Sequence, residues 1–173
     1  MSNHVQLARS AVEEFIRTGK IVNIPENLPS EFYEKKCGVF VSFHNGKELR
    51  GCIGTYLPAH KNLVEEITMN AIAACSRDHR FGPISANELS QISIEVSLLS
   101  APEKISRLNE LDPIKYGAIV KCSDGRCGLL LPALEGVDTA EQQISIACQK
   151  GGINPAMDKN MEIYKFSVEK YSQ

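Results

Sequence analysis

Val39-Phe40-Val41-Ser42-Phe43-His44-Asn45-Gly46-Lys47-Glu48-Leu49-Arg50-Gly51-Cys52-Ile53-Gly54-Thr55-Tyr56 is two apolar-rich runs joined at an Asn-Gly pair. Asn and Gly tolerate the positive φ of a tight loop, so the stretch reads as a β-hairpin closed by a two-residue type I′ turn. Its strands fall near residues 37–43 and 48–56. In that register Phe43 faces Glu48, Val41 faces Arg50 and Val39 faces Cys52, and opposed residues share one face of a sheet. Cys52 and Arg50 then stand together beside Val39, Val41 and Phe43, while Leu49, Gly51 and Ile53 take the other face.

The second strand holds the best site candidate in the chain. Glycine weakens a strand interior, so Gly51 and Gly54 on either side of Cys52 point to a bulge or to something approaching the backbone closely. A guanidinium two residues from a thiol, on the same face, lowers the thiol pKa. Beside this stands a structural reading that residue types alone favour: buried cysteine is commonly a small core residue, and Arg50 can run over the surface with its stem packed.

Outward from the hairpin, Val5, Ala8, Val12, Phe15 and Ile16 recur at helical spacing from an Asn3 cap to Gly19. Residues 21–36 form a connection. A helix over 62–75, apolar on more than one face and carrying Ala71, Ala73 and Ala74, belongs at the centre of the core. Directly behind it comes Ser76-Arg77-Asp78-His79-Arg80-Phe81-Gly82-Pro83, dense in ionisable groups, and then Ser85 and Glu88 at capping-box spacing. Residues 91–99 alternate, with Ile92, Ile94, Val96 and Leu98 opposite Ser93, Glu95 and Ser97. A second hairpin over 116–131 turns at Asp124-Gly125, which sets Cys122 opposite Cys127. A helix follows from Thr139 to Lys150, with Gln142 completing a capping box and Gly151-Gly152 ending it. A closing strand over 161–168 buries Tyr164, Phe166 and Val168. This order lacks the alternation of a doubly wound sheet and predicts an α+β fold on mainly antiparallel sheet.

A length of 173 residues supports one domain, or two small subdomains, with a core that needs no covalent staples. The formal net charge of −2 lacks the basic excess of a dedicated nucleic-acid binder. No apolar run approaches the roughly 20 residues that span a bilayer, and the chain opens directly into a helical pattern, so a cytoplasmic protein with reduced thiols is expected. Cys122 and Cys127 supply at most half of a zinc site, and the second ligand pair is missing. No phosphate loop, dinucleotide fingerprint or HExxH helix is present, so no metal and no cofactor is read from the chain.

These motifs, in this order, resemble the AMMECR family. The carriers are LRGCIGTY from Leu49, RDHRFGP from Arg77, ISIEVSLLSAP from Ile92, KYGAIVKCSDGRCGLLLP from Lys115 and IYKF from Ile163, spread over nearly the whole chain. The resemblance implies a single AMMECR-type domain over residues 1–173, α+β, in two unequal lobes with a cleft between them. It implies no reaction. Prokaryotic members are often encoded with, or fused to, a Memo-type dioxygenase-like protein and a radical S-adenosylmethionine enzyme, which implies a shared pathway. His79 and Gly82 depart from the family's DxRFPP stretch.

Three classes of function follow from the residues. As an enzyme, Cys52 is the nucleophile, Arg50 or Arg80 binds an anionic group, and Asp78, Glu95 or one of His4, His44, His60 and His79 handles protons. As a binding or adaptor module, the glycine-bearing strand (Arg50, Gly51, Gly54) and the loop (Arg80, Phe81) make a surface for a partner. Nucleic-acid binding is the weakest of the three. Asp78 and Arg80 equally fit a structural ion pair that closes the loop onto the body.

Overall fold

Each of the two hairpins seeds an antiparallel sheet, and the chain divides into two units, Met1–Leu99 with Glu169–Gln173, and Ser100–Val168. The computed structural model describes residues 1–21, 25, 27–158 and 160–173; four residues of the connection over 21–36 (22–24 and 26) lie outside the described residues. In chain order the elements are α1 (Asn3–Thr18), α2 (Glu31–Glu34), β1 (Gly38–Asn45), β2 (Glu48–Thr55), α3 (Leu63–Ser76), β3 (Ile92–Leu99), β4 (Glu103–Lys104), a 3-10 turn (Leu108–Glu110), β5 (Gly117–Cys122), β6 (Cys127–Leu130), α4 (Ala140–Lys150), β7 (Met161–Phe166) and β8 (Val168–Ser172). The architecture is α+β with antiparallel sheets.

The first sheet runs β2-β1-β3-β8. Val39, Val41 and Phe43 of β1 and Ile94, Val96 and Leu98 of β3 are buried in one cluster with Val5, Ala8 and Val12 of α1 and with Val64, Ile67 and Ala71 of α3. Burying a side chain such as Phe43 contributes about 2–3 kcal/mol. The cap of α1 is Ser2, not Asn3: its Oγ accepts from the Val5 N–H. Gly19, at φ 72°, ends that helix where the spacing predicted. Asn62 caps α3 through the Glu65 N–H. The short helix α2, with Phe32 buried, lies within the stretch that the sequence marks only as a connection.

The first hairpin differs in register from the sequence expectation. Asn45 pairs with Glu48, so the loop residues are Gly46 and Lys47, and Gly46 takes the positive φ (60°), as the first loop position of a type II′ turn requires. An irregularity between Phe43 and His44 then leaves Arg50 as an extra residue, the bulge that Gly51 hinted at. Beyond it Phe43 opposes Gly51, Val41 opposes Ile53 and Ser42 opposes Cys52. Cys52 is therefore on the face opposite Val39, Val41 and Phe43. Ile53 faces the core, and Leu49, moved by the bulge, comes opposite His44 and is exposed.

The second sheet runs β4-β7-β5-β6, and α4 covers β5 and β6. Thr139 and Gln142 form the capping box read from the sequence. This hairpin too is shifted: Lys121 opposes Cys127, while the Cys122 N–H donates to the Arg126 carbonyl and its own carbonyl accepts from Gly125 at φ 91°. That is a three-residue loop with a left-handed glycine, so Cys122 and Cys127 are not cross-strand partners, and both thiols are free. The closing strand is two strands in two sheets. Ser167 leaves the ladder because its N–H donates to Ser100 Oγ and its carbonyl accepts from Ser100 N–H, both at 3.0 Å. Of the three residues expected to be buried there, only Phe166 is.

Candidate functional site

β2 is an edge strand, and an edge strand presents backbone N–H and C=O groups that no neighbouring strand takes up. The loop after α3 takes them up at Cys52. The Cys52 N–H donates to Asp78 Oδ2 at 2.8 Å, and the Cys52 carbonyl accepts from Arg80 Nη2 at 3.1 Å. Asp78 and Arg80 are themselves joined by Nε to Oδ1 (2.9 Å) and Nη2 to Oδ2 (2.7 Å). A carboxylate and a guanidinium thus stand in for one residue of a missing strand.

The position of this clamp follows from local structure. α3 ends at Ser76, and the Ile84 N–H bonds back to the Cys75 carbonyl, so residues 77–83 form a closed loop beside the helix end. Gly51 lets the helix come this near: a Cβ there would lie 2.6 Å from the Ala74 carbonyl oxygen. At Gly54 an added Cβ would meet the Val39 carbonyl oxygen and the Phe40 ring. The glycines of the motif are therefore explained by backbone packing.

Arg50 holds the far end of the same loop. Its Nε donates to Glu88 Oε1 (2.8 Å), its Nη1 to the Gly82 carbonyl (2.8 Å) and its Nη2 to the Pro83 carbonyl (3.2 Å). Glu88 also accepts from the Ser85 N–H and Oγ. The Ser85 backbone bond and then Arg50 bring the Glu88 carboxyl down to about 2. The sequence marks Glu88 only as a cap, and its spacing from Ser85 is the one sequence signal of its place here.

The side chains divide into two groups. Asp78 is buried, and the Arg80 side chain, followed by the backbone N–H groups of Cys52 and Arg80, holds its carboxyl far below the usual carboxylate range, against the opposing effect of burial. It is an ionised acceptor rather than a proton donor. Arg80 is half exposed, with its guanidinium 5.4 Å from the Phe81 ring centroid. On the sheet face away from the core, Cys52, Ser42 and Glu95 lie in one cross-strand row, because Ser42 opposes both of the others. Ser42 Oγ donates to Cys52 Sγ at 3.2 Å. Glu95 is two strands from the thiol, roughly 10 Å at ordinary strand spacing, and its carboxylate meets Lys170 Nζ at 3.6 Å.

The four histidines take separate places. His4 is stacked on Tyr171, His44 is opposite Leu49 in the ladder, His60 gives its backbone N–H to Glu66, and His79 is exposed in the loop. A polar network that the sequence did not announce closes the end of β2. Glu66, fully buried, accepts from the Thr55 hydroxyl, from the N–H groups of Ala59 and His60, and from the Asn70 amide. It fixes the turn that follows the strand. Among the described residues no three His, Cys, Asp or Glu side chains group as metal ligands, and no helix is long and apolar enough to cross a membrane.

A family model described as AMMECR1 matches residues 5–171. A protein of Thermotoga maritima is 48% identical over 97% of this chain and 96% of its own. A protein of Clostridium acetobutylicum is 43% identical over 98% of this chain, which makes up 36% of that longer polypeptide. The crystal structure of an uncharacterised protein from Pyrococcus horikoshii superimposes with a TM-score of 0.90 at 34% identity, over 98% of this chain and 89% of that one.

Proposed function

The chain belongs to the AMMECR1 family, and from that premise we propose that it is a cytoplasmic protein-binding component of a multi-protein pathway. Its partners are the Memo-type dioxygenase-like protein and the radical S-adenosylmethionine enzyme, and its contact surface is β2 with the loop over residues 77–83. The observation that carries the reading is that Arg50, Asp78, Arg80 and Glu88 spend their charges on one another and on backbone groups. Such a site is preorganised as a surface, and preorganisation lowers the cost of association. Around it Leu49 on β2 and Leu57, just beyond the strand's end, are exposed at 39% and 44%, and Arg80 stands over the Phe81 ring in the loop. Arginine and aromatic groups are the usual anchors of an interface. The clostridial relative is in keeping with this reading, since there the matched stretch is joined to further chain.

The test is a titration of the purified chain against each partner, both taken from the same genome, by calorimetry. L49D and F81A weaken binding about ten-fold or more, as loss of an interface anchor does, while C52S binds like the parent. Parental affinity in both L49D and F81A overturns the proposal.

A second reading, a Cys52-dependent enzyme, has one observation in its favour, the Ser42 hydroxyl donated to the sulfur. It requires Cys52 to be alkylated by iodoacetamide at neutral pH faster than a cysteine in an unfolded peptide, and S42A to slow that reaction. A rate no greater than the peptide's removes this reading.

A further inference from the structure

Away from β2, the unit Ser100–Val168 contains a hollow of about 660 Å³ lined by Lys104, Lys121, Cys122, Ser123, Asn160, Met161 and Glu162. Its volume is that of a small-molecule site, for which about 300–1,000 Å³ is usual. It forms because β4 is only two residues long. β4 pairs with Tyr164 and Lys165, and Ile105 adds one more bond to the Ile163 carbonyl. The chain then turns away, since Ser106 and Arg107 give their N–H groups to Glu110. Beside Met161 and Glu162 no further strand follows.

The charges in the hollow are arranged by the ladder. Lys121 opposes Glu162 on β7, and Lys104 opposes Tyr164, two residues further along the same face. Lys104 Nζ meets Glu162 Oε1 at 2.5 Å, the Tyr164 hydroxyl donates to Glu162 Oε2 at 2.7 Å, and Lys121 Nζ is 4.8 Å from the centroid of the Tyr164 ring. Lys104 and Tyr164 hold the Glu162 carboxyl below its ordinary range, so it remains an anion at neutral pH. Among the residues that line the hollow, two lysines stand against one glutamate, in a chain whose formal net charge is −2. Ser123 and Asn160 add hydrogen-bond donors to the lining, while Met161 and Cys122, cross-strand partners, alternate with Glu162 and Lys121 and pack against the apolar cluster of Val120, Leu130 and Ala147.

We propose that this hollow binds a small molecule bearing a carboxylate or phosphate group, its anionic end between Lys104 and Lys121 and its remainder against the polar lining of Ser123 and Asn160. Charge-assisted hydrogen bonds from lysine and from neutral donors suit both anions, and both need the positive excess that the lysines supply. The site is independent of the β2 surface and of the partner reading built on it.

The experiment is a titration of the full chain, followed by backbone amide NMR shifts, with inorganic phosphate in one arm and citrate in the other at constant ionic strength. The expected result is saturable shifts at Lys104, Lys121, Cys122, Ser123 and Met161 in at least one arm, which also separates a phosphate site from a carboxylate site. K121Q weakens that binding about ten-fold, the loss expected for one charge-assisted contact. E162Q tightens it several-fold, because the anion that repels the ligand is gone. Folding of both variants is checked on the same spectra. Shifts that rise linearly in both arms, binding unchanged in K121Q, or E162Q weakening the binding overturns the proposal and leaves the Lys104–Glu162–Lys121 ladder as a device for sheet pairing.

Discussion

In the first unit the second hairpin strand carries Gly51 beneath the Ala74 carbonyl of α3, and in the second unit it carries Gly128 beneath the Ala147 carbonyl of α4. Each hairpin is also braced by an arginine–aspartate clamp. At β2 the clamp is Arg80 with Asp78, and the aspartate side chain is 4% exposed. At the β5–β6 loop it is Arg126, bonded to Asp124, to Asp158 and to the Gly152 carbonyl, with the aspartates 51% and 20% exposed. The same parts serve a buried joint in one place and a wet surface in the other. Exposed ion pairs contribute little, whereas a buried carboxylate that loses its donors is costly, so the two clamps differ in energetic weight although they look alike.

The glycines give the largest expected effects and sharpen the comparison. A Cβ at Gly128 would fall 1.8 Å from the Ala147 carbonyl oxygen and 2.7 Å from its carbon, so α4 must move off β6. At Gly51 only one backbone atom is closer than 3 Å. Gly128→Ala is expected to destabilise by about 3 kcal/mol or more and Gly51→Ala by about 2 kcal/mol, in the range of overpacked cores. Urea unfolding of both variants measures this, and an inverted order breaks the geometric argument.

Asp78→Asn comes next. It keeps the shape but removes the charge that receives the Cys52 and Arg80 N–H groups, and a loss of about 2–3 kcal/mol follows from weakening hydrogen bonds to a buried anion. The pH dependence has a definite sign. Folding depresses the Asp78 carboxyl below its ordinary 3.8, so its contribution is complete above that value and is lost as the pH falls through the folded value. Glu88, ordinarily near 4.5 and brought down to about 2, is lost in the same direction, between those two values. The urea midpoint of the parent therefore drops as the pH falls from 5 to about 2, and that of Asp78→Asn drops less. Parallel curves would mean that the Asp78 carboxylate does not sense the fold.

The two hairpins, the alternation of β3 and the Thr139–Gln142 box were legible in the sequence, because each is set by neighbours a few residues away. The register was not. Arg50 became a bulge and Gly46 moved to the first loop position so that Gly51, with no side chain, could meet α3, and that requirement comes from a helix more than ten residues further on. The break at Ser167 was hidden for a like reason: Tyr164, Phe166 and Val168 alternate without interruption, and only the bonds to Ser100 end the strand. At the site, Cys52, Asp78 and Arg80 were named from residue type and do come together. The sequence placed the thiol beside the apolar face, however, and could not show that the charged groups bond to the backbone of Cys52 rather than to its sulfur.

The smallest expected effect belongs to the exposed clamp, and its salt dependence makes it informative. Arg126→Gln removes the bonds to Asp124 and Asp158 and weakens the hold on the loop carbonyl of Gly152. Asp124 and Gly152 are exposed and the Asp158 side chain is 20% exposed, so the ionic part of the loss is largely screened, the Debye length falling to about 3 Å at 1 M salt. Thermal unfolding of Arg126→Gln is expected to show a smaller decrease than Asp78→Asn in dilute buffer and a difference from the parent that shrinks in 1 M sodium chloride, whereas the deficit of Asp78→Asn persists there. Equal salt sensitivity of the two deficits would mean that burial of Asp78 does not shield its pairing, and the distinction between a buried joint and a surface brace would then have to rest on the number of hydrogen bonds alone.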